Sequence, residues 1–368
     1  MKRLIRLFIG AVTFATGRRL CGLALLLVAL AAVAGSASAA TPAYPELNPL
    51  FAAEWWLRGH TTLVGWGGEA GASDGVDAIG AWEGSTGEGV VVAVADSGVD
   101  PMSPALASQL LPGRDFLTGK PLTGDPLGHG THVTTLIAGN PQQSDGIFGV
   151  APGARILPLR VATAGGHVRA RAAAAALAYA TRNPRVRVIN MSWGKDFSPV
   201  LERALAASAD TGSVLLVSAA GNDALELSAS RLLPQTFDSE NELTVASTDI
   251  LDNLSWFSNY GAHIEVAAPG ERILSAYPAD TLKLADGTSM AASIVSGVAA
   301  LLFSRHPEAS AAQVKGAILA SCTQVPDLVG RVGCGGIVNA PAALATLATI
   351  LERAGAARSP RAPATAQS

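Results

Sequence analysis

The chain has 368 residues and a formal net charge of −3; 49% of it is apolar, 15% is charged, and 39 residues are glycine. Such a balance supports a large buried core and excludes a disordered polymer. No basic stripe runs along it, which excludes a nucleic-acid-binding tract.

The first element in chain order is an export signal over residues 1–39. Lys2, Arg3, Arg6, Arg18 and Arg19 form its positive part, Leu20 to Ala34 an uncharged apolar run, and Ala37-Ser38-Ala39 a small-residue cleavage site. The run of 15 residues is short for a membrane span, which needs about 20. An uncleaved anchor is the alternative. The Arg18-Arg19 pair leaves general secretory and twin-arginine export both open. Removing the signal takes the net charge from −3 to −8, because it carries five cations and no acid. An acidic body of that kind is expected to avoid anionic membranes and DNA. Its destination is the medium or the periplasm.

Residues 40–350 read as one domain. Short apolar runs at Val90–Ala95, Val186–Met191, Val214–Ser218, Leu243–Ala246 and Ile264–Ala267 have the look of buried parallel strands. Helical stretches alternate with them: His167–Arg182, stopped by Asn183-Pro184, and Pro199–Asp210, followed by Gly212. Strand and helix in alternation predict an α/β fold, a mostly parallel twisted sheet with helices on both faces. Functional residues in such sheets gather at the carboxyl ends of strands. Residues 351–368, rich in Ala, Pro and Arg, are expected to form a disordered tail.

Three segments carry chemistry. The first strand ends in Asp96-Ser97-Gly98; Gly128-His129-Gly130-Thr131-His132 opens a helix; Gly287-Thr288-Ser289-Met290-Ala291 opens another, which runs to Phe303. A nucleophilic serine needs a base, and the base needs an orienting carboxylate. A serine at a helix N-terminus also has backbone N–H groups beside any developing oxyanion. Singly, each segment has an ordinary reading: Asp96 as a turn or cap, His129 as a helix start, Gly-Thr-Ser as a loop.

In their order, Asp then His then Ser, these motifs resemble the subtilase family. Val188-Ile189-Asn190-Met191-Ser192-Trp193-Gly194 is similar to the strand lining that family's substrate pocket, and Ala219-Ala220-Gly221-Asn222 to its oxyanion segment. The resemblance covers roughly residues 47–345. It implies a serine endopeptidase with catalytic Asp96, His129 and Ser289, an oxyanion donor at Asn222, and substrate contacts at Ser192, Trp193 and Gly194. The expected partner is a protein or peptide substrate, and the expected state a monomer. Two rival outcomes stay open: acyl transfer to an amine on one dedicated substrate, and a non-catalytic binding protein on the same fold.

The chain departs from the family pattern in several places. Ser293 and Ile294 replace the usual Pro-His after the nucleophile, and loss of the proline is expected to loosen that turn. The segment Asp223–Ser228 lacks the pocket-floor glycines, and Trp193 is bulky for a pocket wall. The family's tight calcium site uses an Asp where Ala105 stands here, and Asp100 comes five residues too early to replace it. In the loop Asn140–Phe148, which would supply further ligands, Asp145 is the one carboxylate. No cofactor and no tight calcium are therefore expected. His132 reads as a structural neighbour of the base, and no metal site is expected. Cys322 and Cys334, twelve apart in an exported chain, permit a disulfide worth about 3 kcal/mol; two separate buried thiols are the alternative. Asn48 to Phe51 and Ala78 to Gly89 already resemble the start of the mature domain. Thr41–Leu47 is too short for a separate pro-domain, so the active form is expected to begin near Ala40 or Thr41.

Overall fold

A computed structural model describes residues 50, 53–58, 75–140, 146–227 and 232–358. The signal segment, the expected mature start at Ala40 or Thr41, and residues 359–368 of the tail lie outside the described residues.

The strands are β1 (Val91–Asp96), β2 (Arg114–Asp115), β3 (Arg155–Arg160), β4 (Val186–Met191), β5 (Lys195–Asp196), β6 (Leu215–Ala219), β7 (Leu232–Leu233), β8 (Glu242–Thr248), β9 (Val266–Pro269), β10 (Ile273–Tyr277), β11 (Thr281–Ala285), β12 (Thr323–Gln324) and β13 (Gly336–Ile337). The helices are α1 (Ala78–Trp82), α2 (His129–Ala138), α3 (Ala170–Thr181), α4 (Pro199–Ala209), α5 (Thr288–Arg305), α6 (Ala311–Ala320) and α7 (Ala340–Arg358).

Nine strands form one sheet in the order β12-β13-β9-β8-β6-β4-β1-β3-β2. Every neighbouring pair is parallel except β12–β13. The period-2 alternation of strand side chains sends β1 in two directions. Val92 and Val94 join a core with α2 and α5, while Val91, Ala93 and Ala95 join a core with α3 and α4. The strands therefore read as unbroken apolar runs because both faces are covered. This is the α/β arrangement expected from the sequence.

Helix α5 is apolar enough over 18 residues to cross a membrane by composition, with a mean hydropathy of 1.3, yet 89% of it is buried inside the protein. It is the central core helix. The strands β3 and β10–β11 had no clear signal: β3 carries Pro158, which removes a ladder donor, and β11 is almost wholly exposed. The tail boundary needs correction. Helix α7 continues past residue 351 to Arg358, because Ala340, Ala343, Leu344, Leu347, Ile350 and Leu351 keep a helical spacing against the core.

At the other end, Trp56 and Leu57 are fully buried, and the Phe148 N–H donates to Glu54 Oε1 at 2.7 Å. Residues 54–57 are therefore part of the domain core. Cys322 and Cys334 are joined as a disulfide, with Cα atoms 6.5 Å apart.

Candidate active site

Asp96 is the last residue of β1 and is 3% exposed. Its Oδ1 accepts from the Ser97 N–H at 2.6 Å and faces His129 Nδ1 at 2.8 Å. His129 is the first residue of α2. The two can meet because Gly130 has no side chain: a Cβ there would lie 2.0 Å from the Gly98 carbonyl oxygen, so any other residue would push α2 off the turn after β1.

A further carboxylate braces this helix start. Asp125 Oδ1 accepts from Ser97 Oγ at 2.7 Å, Gly128 N at 2.8 Å and Leu127 N at 3.2 Å; Oδ2 accepts from Thr131 N at 2.7 Å and Thr131 Oγ1 at 2.8 Å. Burial lowers the His129 pKa. The charge and hydrogen bond of Asp96, with the charge of Asp125, more than offset this and hold it above the ordinary imidazole value, against a small opposing effect of Lys283. One turn on, His132 meets the Lys283 carbonyl through Nε2 at 3.0 Å, and burial pushes its pKa down to about 4. It remains neutral and structural.

Ser289 sits in the first turn of α5, after Gly287, whose φ of 155° and ψ of 154° belong to a region that glycine alone adopts freely. Its hydroxyl donates to the Ser192 carbonyl at 3.0 Å and makes no hydrogen bond to His129 in this rotamer. Behind it, a buried polar network sews β4 to α5. Asn190 Nδ2 donates to Ser192 Oγ at 3.0 Å, Ser192 Oγ and Ser293 Oγ donate to the Ser289 carbonyl at 2.9 and 2.8 Å, and Ser296 Oγ donates to Asn190 Oδ1 at 3.0 Å. At this position α5 is continuous, the Ser293 hydroxyl adds a bond, and Ile294 is fully buried.

Asn222 follows β6. Its Oδ1 accepts from both the N–H and the hydroxyl of Thr288, each at 2.9 Å. That leaves the Nδ2 protons pointing elsewhere, beside Gly287, where a Cβ would lie 3.3 Å from Nδ2. Next to Asn222 opens a cleft of about 460 Å³ lined by His167, Val168, Gly194, Gly221, Asp223 and Gln235, among others. Of the three substrate contacts read from sequence, only Gly194 lines it. Ser192 is 3% exposed and turned into the network, and Trp193, expected at the pocket wall, donates its indole N–H to the Ala95 carbonyl at 2.7 Å and packs with the α3–α4 core. The floor is set instead by Gln235, whose amide donates to the Trp193 carbonyl at 3.0 Å and packs against Gly194.

The sequence reading missed Asp125 and Thr288. An acid four residues ahead of a helix-opening histidine is a signal of the capping kind and could have marked Asp125. Thr288 had no such mark.

At Ala105 and Asp100, the two positions weighed for calcium, the described groups already have partners. Ala105 offers a methyl group, and its carbonyl accepts from Asn140 N at 2.8 Å. The Asp100 carboxylate is held by Met102 N at 2.9 Å and Ala279 N at 3.0 Å. Among the described residues no three His, Cys, Asp or Glu side chains gather as a metal ligand set; Asp145 lies outside them.

The sequence profile of the Subtilase family matches residues 87–335. Subtilisin BL of Lederbergia lenta is 36% identical over 71% of this chain and 92% of its own length. Thermitase of Thermoactinomyces vulgaris is 38% identical over 62% of this chain and 80% of its own. M-protease of Shouchella clausii is 37% identical over 71% of this chain, which spans 65% of that relative's length. Among solved structures, a protease from Pseudoalteromonas arctica aligns with a TM-score of 0.70 and 28% identity over 83% of this chain and 99% of that one. The chain belongs to the subtilase family, the subtilisin-like serine endopeptidases.

Proposed function

We propose that this chain is an exported endopeptidase that works through an acyl-enzyme, with Asp96, His129 and Ser289 as its triad. The observation that carries the reading is the Asp96–His129 bond at 2.8 Å, which joins the end of β1 to the start of α2. Beside it stand the Ser289 hydroxyl in the first turn of α5 and an Asn222 amide whose oxygen is clamped by Thr288.

With Nδ1 donating to Asp96, the His129 Nε2 lone pair is the base. A turn of the Ser289 side chain away from the Ser192 carbonyl brings its hydroxyl to that lone pair. Its proton passes to Nε2 as Oγ bonds the substrate carbonyl carbon, and the carbonyl electron pair moves onto oxygen. Asn222 Nδ2–H and the Ser289 N–H, which lacks an intrahelical acceptor, receive that oxyanion. Collapse breaks the C–N bond while His129 protonates the leaving amine, and water then releases the acyl group by the same steps. All these groups come from one chain, so a monomer suffices. Export rests on residues 1–39, and the substrate class is peptide or protein.

The test is cleavage of a diverse peptide library, read by mass spectrometry, by the parent and by Ser289→Ala, His129→Ala and Asp96→Asn. Each variant should stay folded and lose about 10⁴- to 10⁶-fold in kcat, the magnitude such triads show in subtilisins, and double variants should lose no more. Near-parental turnover by Ser289→Ala would refute the assignment.

A further inference from the structure

We propose that Asp125 is a positioning residue for the catalytic base, holding the start of α2 so that His129 faces Asp96. This inference rests on the triad reading above.

The first backbone N–H groups of a helix have no partner inside it. Here one carboxylate, that of Asp125, takes two of them directly, those of Gly128 and Thr131, and also accepts from the N–H of Leu127. It reaches Gly130 through Ser97, whose hydroxyl donates to Asp125 and accepts from Gly130 N at 2.9 Å. Ser97 is also the residue after Asp96, and its own N–H donates to Asp96. Asp125 therefore ties the strand end that carries the acid to the helix turn that carries the base. Thr131 extends the tie, because its hydroxyl donates to Asp125 while accepting from Asp100 N at 2.9 Å.

The same placement has an electrostatic consequence. The positive end of α2 disfavours an imidazolium on its first residue, and a carboxylate on that end opposes it. The titratable or charged groups facing His129 are Asp96 from β1, Asp125 from the loop before α2, Lys283 from β11 and His132 one turn along α2. Asp125 favours the protonated base and Lys283 opposes it. A brace without charge would hold geometry and leave the titration of the base alone.

The experiment is the pH profile of kcat/KM for the parent, Asp125→Asn, Ser97→Ala and Lys283→Gln, with active sites counted by a fluorophosphonate. Asp125→Asn should lose about tenfold in kcat with KM little changed, and its acid limb should move about 0.5 to lower pH. Lys283→Gln should move the limb the opposite way. Ser97→Ala keeps the carboxylate, so it should lose kcat without moving the limb. A parental kcat and acid limb in Asp125→Asn would overturn the proposal. If that variant does not fold, parental kcat in Ser97→Ala would overturn it. Failure of the triad reading would show differently, as full turnover in Ser289→Ala.

Discussion

Glu242 opens β8, at the end of the sheet opposite the candidate triad, and is 3% exposed. The Ser218 and Thr244 hydroxyls both donate to its Oε1. Burial, and then the nearby charge of Glu265, push its carboxyl well above the ordinary value, although those two bonds and Lys315 work the other way. A carboxyl whose folded pKa is raised binds a proton that the unfolded chain has already released. Its contribution to stability is complete below the unfolded value and is lost as pH rises through the folded one. Glu242→Gln keeps an acceptor for both hydroxyls and removes the titration. The unfolding free energies of Glu242→Gln and its parent should therefore agree to within about 1 kcal/mol below about pH 4. Above that the variant should gain by about 1.4 kcal/mol per pH unit, levelling off once the folded carboxyl ionises. Glu54 and Glu265 remain in both proteins. Denaturant titrations from about pH 4 to 9, in a Ser289→Ala background that prevents self-digestion, read this difference. A difference curve that stays flat across the range would refute the linkage of this buried carboxyl to folding.

Asn222→Ala should cost about 10²–10³ in kcat with little change in KM, since the donor acts on charge that develops only in the transition state. Thr288→Val removes one of the two bonds that clamp the Asn222 oxygen, and about tenfold in kcat should go with it; unchanged single-turnover rates in both variants would remove Asn222 from the oxyanion role. We also propose that calcium matters little, because Ala105 offers no ligand and Asp100 is engaged elsewhere. A tight site would raise stability by about 4 kcal/mol at a thousandfold excess over Kd, so EDTA should leave the melting temperature almost unchanged. A drop of many degrees, reversed by calcium, would refute this.

The sequence by itself determined the fold class and the candidate triad. The fold class depends on local features, apolar runs for strands buried on two faces. Asp96, His129 and Ser289, by contrast, each have an ordinary local reading and were read as a triad from the resemblance of the ordered motifs to the subtilase family. The local features follow from the chain's own covalent and hydrogen-bonding geometry, so they survive without knowledge of the partners. Element boundaries were less legible. The end of α7 was missed because Ala- and Arg-rich composition hides a helical stripe that has meaning only against the core it covers. Only the tertiary structure decided where side chains point. Trp193, next to Gly194 in sequence, turns to a carbonyl of β1, 98 residues away, while Gln235 comes from 42 residues further on to form the cleft floor. Ser289 rests on the Ser192 carbonyl, 97 residues back, and Glu242 takes hydrogen bonds from Ser218, 24 residues back. These contacts join residues distant along the chain that only packing brings within reach, and each depends on which face of a strand or helix is turned inward.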